Sequence, residues 1–477
     1  MLSYDDYLQK AQSIIKIPDS YQLLIEEVPT VENVLDEACF IWMDEHEENG
    51  VIVKLDRQGH LLRVSNDIRT LSTVQLNEQE LMERAQSLLL THYPSALIEL
   101  TFTSQKWRED RIRFEYERYA YDILLESCGV VIELARDGEM VSFVYNQMSS
   151  YPDKPSHIVD KEIVLEEISR SVVLKPVISP LYAILHHVDN DSLRLLYRFS
   201  KYPISIYADH SELSWWEESE DEGEEKLKNI VWSKKKRKTD VTIEEIVGIS
   251  LEEMEVIREV DHADGKGIVW RDKEWQPVKE PKSFDTFFRN RSEETVKAIM
   301  DPKTDRLRSF VWFKEREGDL CLDKQRCLEK AIEFIELYAP EYTPYLLYKE
   351  RDEELLSVDE ETVATFLFSL HNGTEIPVEL SEMLVSINRK NGQVEHYMSP
   401  TIDLDELLSL PRQPTISKEQ AKEIWMEHLD VELKWRLDYG EDNQQSFKLV
   451  YEAYERKSGH RIQYIDALTG EMITQRD

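Results

Sequence analysis

The chain repeats itself, and this internal repeat restricts its possible folds more than any other feature of the sequence. Residues 50–64 (GVIVKLDRQGHLLRV) match residues 129–143 (GVVIELARDGEMVSF) without a gap, with Gly59 and Gly138 at corresponding positions. Each copy predicts two strands joined by a tight turn, because apolar residues alternate with polar ones and glycine suits a left-handed turn position. Units of this kind bury only one face each, so several of them must assemble around shared cores.

The alternation of apolar residues assigns each side chain to one face of a sheet. In the first copy, Val51, Val53 and Leu55 are predicted to face a core, and Lys54 is predicted to face solvent. The second copy repeats this pattern, with Glu133 where the first copy has Lys54. Each copy is therefore predicted to be a half-buried pair of antiparallel strands.

The same kind of turn recurs three more times, with one additional loop residue, at positions 301–305, 388–392 and 466–470. Asp305 stands where the other copies carry glycine. Aspartate is one of the few residues that tolerate the left-handed region of backbone space, so this position is still predicted to be a turn.

Amphipathic helices are predicted ahead of these hairpins. Residues 4–15 and 77–92 carry apolar stripes spaced three and four apart, and both contain the tripeptide Ala-Gln-Ser. The second helix also matches residues 323–338, which indicates a second level of duplication. Residues suited to accept backbone N–H groups stand where helices are predicted to begin, namely Asn77, Asp160, Asp323 and Ser417.

These matches predict an α+β fold of six helix-plus-antiparallel-meander repeat units, arranged as two homologous halves of three. The N-terminal half spans residues 1–215, a charged linker spans 216–240, and the C-terminal half spans 241–477. The units are expected near residues 1–68, 76–148, 158–215, 241–314, 322–399 and 415–477. The third and sixth units correspond more loosely than the others.

The predicted linker has the most biased composition in the chain. Residues 216–225 form an acidic block, and residues 234–238 form a basic one. Such runs repel themselves and resist packing, which favours a long loop. The basic run is interpreted as solvated or paired internally with the acidic block, and not as a nucleic-acid patch.

The overall charge limits the classes of partner. The 477 residues carry a formal net charge of −37, which repels phosphate backbones and anionic lipids. We find no secretory signal and no apolar stretch of the ~20 residues that span a membrane, so we expect a cytoplasmic protein with no nucleic-acid or membrane partner. The cysteines lack CxxC spacing and are predicted to be reduced thiols: Cys39, Cys128, Cys321 and Cys327.

No motif of a known catalytic or cofactor site occurs in the sequence. Asp264-Gly-Lys-Gly is interpreted as a plain turn, and residues 44–50 as a hairpin turn instead of a calcium loop. The adjacent His186 and His187 point apart on any regular element and are not expected to share a metal ion. We therefore predict no catalytic, cofactor-binding or metal-ligating residue and no cofactor.

Several tryptophans offer an aromatic surface that could bind sugars or peptides: Trp215, Trp216, Trp270 and Trp275. Large aromatic side chains more often cover a sheet face or a junction between units. We prefer this second interpretation.

The second half resembles a known family. The hairpin at residues 366–373, the sequence Ile376-Pro-Val and the strand and turn at 385–394 resemble the repeated domain of the YcdB/YcdC proteins of Gram-positive spore formers. Residues 464–472 are similar to the closing strand of PepSY-type modules, which also combine a helix with a small antiparallel sheet. The resemblance implies a non-catalytic role in the cell envelope or in regulating a peptidase, but this chain departs from the secreted members in lacking a signal or anchor.

The function predicted from these features is non-enzymatic. We expect a cytoplasmic repeat protein that binds a protein or peptide partner in a PepSY-like regulatory or scaffold role, because the repeat preserves turns and cores but no reactive residue type. The alternative is a hydrolase or lyase with acidic residues in a cleft between the two halves. A structural protein whose charge serves solubility alone is a third possibility. The identity of the partner, the oligomeric state and the packing of the halves stay open.

Overall fold

The structure is a computed structural model, and its described residues cover most of the chain. They are residues 2–30, 35–47, 49–67, 74–146, 151–153, 155–201, 204–209, 214–215, 226–233, 241–262, 265–302, 304, 306–350, 362–439 and 445–476. The acidic block at 216–225, the basic run at 234–238, Asp264 and Asp305 lie outside them.

Two meanders open the chain, and each begins with a helix. The first contains α1 (Tyr4–Ile14), β1 (Gln22–Glu27), β2 (Glu37–Met43), β3 (Gly50–Asp56) and β4 (Leu61–Asn66). The second contains α2 (Glu78–His92), α3 (Ala96–Glu99), β5 (Thr101–Arg108), β6 (Arg111–Ala120), β7 (Ile123–Ala135) and β8 (Met140–Asn146).

The middle of the chain is less regular. It contains α4 (Lys161–Ser171), β9 (Leu174–Leu181), β10 (Ser192–Phe199), β11 (Ser205–Tyr207) and β12 (Lys226–Asn229). It continues with α5 (Ile243–Val247), β13 (Met254–His262), β14 (Gly265–Asp272), α6 (Phe284–Ser292), β15 (Thr295–Met300) and β16 (Leu307–Trp312). Strand β12 lies inside the predicted linker, so that linker is in part a strand.

The last third returns to the pattern of a helix followed by strands. It contains α7 (Lys324–Tyr338), a 3₁₀ helix (Pro340–Tyr345), β17 (Leu346–Glu350), β18 (Val363–Leu370), β19 (Glu382–Asn388) and β20 (Val394–Met398). It ends with α8 (Leu404–Ser409), α9 (Lys418–His428), β21 (Leu429–Tyr439), β22 (Gln445–Glu455), β23 (Ile462–Asp466) and β24 (Met472–Thr474).

The strands form three sheets, and their pairing is almost entirely antiparallel. An eleven-stranded sheet has the order β1-β2-β3-β4-β8-β7-β21-β22-β11, with the β5–β6 hairpin attached to β7. A nine-stranded sheet has the order β12-β17-β18-β19-β20-β16-β15-β14-β13, and a four-stranded sheet the order β24-β23-β10-β9. Among the pairings of named strands in the described residues, one is parallel. It joins β7 to β21 at Leu125 and Trp435. The fold is therefore a sheet-rich mixture of helices and antiparallel strands, as predicted.

Successive meanders join in the same way at two places. Strand β4 pairs with β8, and β16 pairs with β20, so the last strands of two neighbouring meanders become adjacent in each case. The third and last meanders behave differently, because β10 pairs with β23 and β11 pairs with β22. Strands from residues 1–215 and from 241–477 therefore share two sheets, and the predicted division into two halves remains a prediction of the sequence duplication.

The cores divide the chain differently from the duplication. One core belongs to the first two meanders and includes Tyr7, Leu81 and Phe143. A larger core runs from Ala120 to Ala467 and includes the third meander as well as the second half. The third meander thus buries its apolar face mainly with the C-terminal part of the chain.

The predicted faces of the repeated hairpin are confirmed. Val51, Val53 and Leu55 are completely buried. Lys54 lies on the other face and forms an ion pair with Glu37 on the neighbouring strand. The alternation therefore separates a core face from a face that carries paired charges.

The turn glycines pack against the helix of their own meander in four places. Each has a φ between +73° and +84°, and a Cβ there would meet the residue before the helix N-cap and the residue eight positions later. The contacts are Gly59 with Leu2 and Lys10, Gly138 with Leu76 and Arg84, Gly392 with Leu322 and Lys330, and Gly470 with Ile416 and Ile424. Both the backbone conformation and the lack of space require glycine.

Three of the four predicted helix caps form as expected. The side chains of Asn77, Asp323 and Ser417 accept backbone N–H groups from the first turns of α2, α7 and α9. Asp160 occupies the N-cap position of α4, but its side chain makes no capping hydrogen bond, so that part of the prediction is wrong. Helix α4 still begins after Asp160, because the extended backbone of that residue and the apolar stripe of the helix are sufficient to start it.

Candidate functional site

The histidine pair singled out in the sequence serves the local structure of a loop. His186 is buried, and its Nδ1 accepts the N–H of Tyr182 at 3.0 Å. The Nδ1 of His187 lies 3.1 Å from the hydroxyl of Thr474, and its ring stacks on His460 at 4.2 Å. The two rings point to different partners, as predicted. Within the described ranges, no group of three or more candidate ligand side chains could hold a metal ion.

Of the four tryptophans considered in the sequence, the three that lie in the described residues are largely buried. Trp270 is completely buried and Trp215 nearly so. Trp275 is half-buried, and its indole N–H donates to Glu293 at 3.2 Å. These positions agree with a covering role rather than with an open aromatic surface, while Trp216 lies outside the described residues.

The segment that superficially resembles a calcium loop is a hairpin turn, as predicted. The carboxylate of Asp44 accepts the N–H groups of His46 at 3.1 Å and Asn49 at 3.2 Å. Those bonds close the connection between β2 and β3. The cysteines are all unpaired, with Cys321 exposed and the other three buried.

Acidic side chains do meet at the junction of the two predicted halves. Glu126 on β7 and the buried Glu452 on β22 are joined by the guanidinium of Arg436, which bonds to both. The ammonium of Lys434 lies 3.8 Å from Glu126 and 3.5 Å from Glu452. These carboxylates are held in ion pairs within a sheet, and neither lines the two grooves described below.

The larger of the two grooves lies along one side of α7, with a volume of about 800 Å³. One wall is β12 with the residues that follow it, the other wall is α7, and β17 supplies the base. Half-buried apolar side chains line its middle: Ile230, Leu328, Ile332 and Tyr348. Val231 stands at the rim with 94% of its surface exposed.

One end of this groove is rich in lysine. The ammonium of Lys228 lies 2.6 Å from the carboxylate of Glu350. That hydrogen bond, with Lys226 and Lys324 nearby, holds the pKa of the Glu350 carboxyl below its usual value. Three lysines therefore surround one glutamate at the beginning of α7.

The other end of the groove is rich in glutamate. Glu333 and Glu336 line it from the last turns of α7, whereas Glu329 lies between Leu328 and Ile332 and pairs with Arg326 at 2.7 Å. Glu336 is buried and accepts both the backbone N–H and the hydroxyl of Ser233, which ties the β12 wall to the helix. Because a helix rises about 1.5 Å per residue, Glu336 lies roughly 18 Å along the axis from Lys324. We call this feature, lined by residues 228–231, Ser233, α7 and β17, the α7 groove.

A second, smaller groove of about 360 Å³ lies near α5 and β16. Its side chains are already engaged with one another. Arg316 lies over the ring of Trp312 at 4.0 Å and donates to the carbonyl of Val394 at 2.6 Å. The α7 groove is larger and polarised, so it is the stronger candidate for binding.

Sequence reasoning missed the α7 groove because one of its walls lies inside the predicted linker. The signal was present in the apolar residues Leu227, Ile230, Val231 and Trp232, which separate the acidic block from the basic one. A solvated linker has no reason to carry such a cluster. The prediction that the chain has no catalytic or metal-binding residue remains a prediction. No helix in the described part of the chain is long and apolar enough to cross a membrane.

Comparison with known proteins identifies related sequences over nearly the whole chain. A profile of the family described as "YcdB, YcdC repeated domain" matches residues 5–147 and 236–401. The uncharacterized protein YcdB of Bacillus subtilis (strain 168) is 30% identical over 475 residues, which are 98% of this chain and 96% of that protein. The uncharacterized protein YcdC of the same strain is 25% identical over 449 residues, which are 93% of this chain and 94% of that protein.

Among the solved structures that match this chain is a domain of a Bacillus megaterium protein. This domain, the YpeB C-terminal domain, is 15% identical to the matched part of this chain, with a TM-score of 0.27. The match covers 44% of this chain and 90% of that domain.

Proposed function

The chain belongs to the family of the YcdB/YcdC repeated domain, and from this premise we propose that it is a non-enzymatic protein that binds an extended peptide segment of a partner protein. The observation that carries the proposal is the α7 groove, in which an apolar middle separates a lysine-rich end from a glutamate-rich end. An extended peptide rises about 3.3 Å per residue, so a groove of roughly 18 Å accommodates about five residues.

The charges of the groove define the peptide that it fits. An acidic residue of the peptide would lie near Lys228 and Lys324, and a basic residue near Glu333. Apolar side chains between them would pack against the apolar middle of the groove, which includes Ile332. Charges arranged in this way favour one orientation of the peptide and raise the rate of encounter.

The carboxylates of the groove support a binding role. Glu336 is bound by Ser233, and Glu350 is bound by Lys228. Both therefore have fixed partners and contribute to the shape of the site. A regulatory or scaffold role follows from this proposal, with a protein partner and with neither nucleic acid nor membrane, in keeping with the net charge of −37.

We place the protein in the cytoplasm as part of the same proposal. Cys321 is an exposed, unpaired thiol. A reducing compartment keeps such thiols intact, whereas an oxidising one favours disulfides.

The proposal also retains the six units in two halves of three, divided at residues 216–240. Each of the two family matches, 5–147 and 236–401, spans two meanders, and both pairs are joined through their last strands. In this proposal, the pairing of strands of the third unit with strands of the sixth holds the halves together.

Selection from a random library of linear peptides on the immobilised full chain tests the binding proposal. We expect selected peptides to carry an acidic and a basic residue separated by apolar ones. Their affinity is then measured by fluorescence anisotropy for the wild type and for Val231→Glu. Val231 lines the groove but is almost fully exposed, so the substitution changes the site without removing packing.

The matched control is Ile184→Glu, at an apolar residue that is 82% exposed and lies in another part of the molecule. We expect at least about tenfold weaker binding for Val231→Glu and unchanged binding for the control. If the selected peptides bind Val231→Glu with the same affinity as the wild type and the control, the α7 groove is excluded as the binding site.

A further inference from the structure

Three cations lie together on one face of the nine-stranded sheet, beside α6. Arg271 on β14 and Lys297 on β15 are on the same face, because the strand register places Lys297 opposite Val269. Arg291 comes from the last turn of α6. Trp270, next to Arg271 in the chain, is completely buried on the opposite face. We call these three residues the α6 cation cluster.

Each member of the α6 cation cluster rests on an aromatic ring. The distances to the ring centres are 3.9 Å for Arg271 over Trp275, 4.5 Å for Arg291 over Phe287 and 4.7 Å for Lys297 over Phe313. Aromatic faces attract and position cations, but they offer no hydrogen-bond acceptor in the plane of the guanidinium.

Arg271 and Lys297 differ from Arg291 in their polar partners. Within the part of the chain that the structure describes, neither Arg271 nor Lys297 forms an ion pair. Arg271 donates to the carbonyl of Asn290 at 2.5 Å, and Lys297 donates to the hydroxyl of Ser292 at 3.0 Å. Neither cation is therefore bonded to a carboxylate, although Glu293 lies close enough to Arg271 to act on it electrostatically.

The carboxylates in the neighbourhood have other partners. Glu47 pairs with Arg291, and Glu293 pairs with Arg289 at 3.0 Å. Asp272 and Glu294 are both held by the ammonium of Lys314. The local acidic residues are therefore bonded to other groups, and Glu293 offsets the charge of Arg271 only from a distance.

The cluster also contains donors without acceptors. The Nε atoms of Arg271 and Arg291 are buried and have no hydrogen-bond partner. Burial, together with these two guanidiniums, lowers the pKa of the Lys297 ammonium. A buried donor without an acceptor is costly, and an unbalanced positive potential adds to that cost. A bound anion would remove both penalties.

We propose that Arg271, Arg291 and Lys297 form a binding site for a phosphate group, either free or as the phosphoryl group of a larger ligand. Guanidinium groups match the oxygen geometry of phosphate through paired N–H donors, and an ammonium adds a third point of contact. The aromatic rings hold the three cations in place before the ligand arrives. This site lies near the β13 edge of the nine-stranded sheet, whereas the α7 groove lies at the β12 edge.

Thermal unfolding of the full chain in sodium phosphate and in sodium chloride, at equal ionic strength and pH, tests the site. We expect phosphate to raise the Tm of the wild type and to leave the Tm of Lys297→Met unchanged. A phosphate titration followed by ³¹P NMR should give a dissociation constant at least about tenfold weaker for Lys297→Met, because a charge-assisted contact is lost. In chloride, this variant should be at least as stable as the wild type, since repulsion between like charges is relieved.

The control is Lys266→Met, which removes a lysine paired with Glu259 at the other end of β14. It should respond to phosphate as the wild type does. Arg271→Gln provides a second variant with the same expected loss of response. Acetate at equal ionic strength distinguishes phosphate from carboxylate, and a phosphoserine peptide distinguishes a larger ligand from free phosphate by binding more tightly.

The proposal is overturned if phosphate gives the wild type no additional stability over chloride. It is also overturned if both cluster variants keep the full response, or if acetate stabilises as strongly as phosphate. Lower stability of Lys297→Met in chloride, with an intact phosphate response, would assign Lys297 a structural role instead.

Discussion

The indole N–H of Trp435 donates a hydrogen bond to the backbone carbonyl of Ala120, at 3.1 Å, across 315 positions of the sequence. Trp435 is almost completely buried, and it lies opposite Leu125 where β21 meets β7. This contact holds the first and last thirds of the chain together at the parallel step of the large sheet. It makes Trp435 a probe of how the two predicted halves depend on each other.

Trp435→Phe should lower the free energy of unfolding by about 2 kcal/mol, because it leaves the Ala120 carbonyl without its donor and leaves unfilled space beside it. Chemical denaturation monitored by circular dichroism measures this change. Trp107→Phe is a suitable control, since Trp107 is 40% exposed and bonds to Glu78 at the surface. An equal effect of both substitutions would contradict the importance of the junction.

Limited proteolysis tests the same connection. The sequence predicts cleavage in the basic run at 234–238, which lies outside the described residues. We expect two fragments on a denaturing gel that still elute together under native conditions, because β10 pairs with β23 and β11 pairs with β22. Separate elution of two folded fragments would show that these shared strands do not hold the halves together.

Gly129→Ala should be strongly destabilising. A Cβ at this position would lie 2.1 Å from the carbonyl oxygen of Tyr116, so β6 and β7 would have to move apart. The expected loss is about 3 kcal/mol, as for a severely overpacked site. Gly373→Ala is the matched control, since φ is +83° but no atom lies within 4 Å, and it should cost only about 1 kcal/mol. Thermal unfolding of both variants measures the difference, and similar values would refute the close approach.

His92 should make the protein less stable in weak acid. Burial lowers the pKa of its imidazole, which packs edge-on against Phe143 at 5.7 Å. The unfolded chain therefore takes up the proton first, and stability falls as the pH drops below about 6.5 toward the folded pKa. Wild type should lose more stability than His92→Gln between pH 8 and pH 5.5, as measured by urea unfolding.

His46→Gln, at an exposed histidine in the turn between β2 and β3, is the control for removing an imidazole. Parallel pH profiles for the wild type and His92→Gln would show that His92 does not contribute to the acid sensitivity.

The sequence was most informative about the repeated unit. The contact of Gly59 with Leu2 recurs as the contact of Gly138 with Leu76, and the gapless match already aligns the two glycines. The burial of Val53 and the cap at Asn77 were likewise predictable. Strand alternation and helix capping depend on residues close in the chain, so residue type and spacing are sufficient to indicate them. The glycine contacts join more distant residues, and they recur because the whole unit is repeated.

The candidate sites were much less predictable. Strand β12 and Ser233, which binds Glu336, lie in a segment whose charge predicts a solvated linker. The α6 cation cluster joins Arg271 and Lys297 from two strands with Arg291 from a helix, and no short motif marks such a set. Both sites are defined by residues that become neighbours only when distant elements pack together.

The sequence by itself determined the helix-and-meander unit, its buried faces, its turns and the membership of the family. Only the tertiary structure decided how the units combine, including the pairing of β21 with β7 and of β10 with β23. The physical reason is that strand edges join through backbone N–H and C=O groups, which every residue except proline carries in the same form. Side-chain patterns identify a strand and its inner face, but the choice of neighbour follows from the shape of the whole molecule.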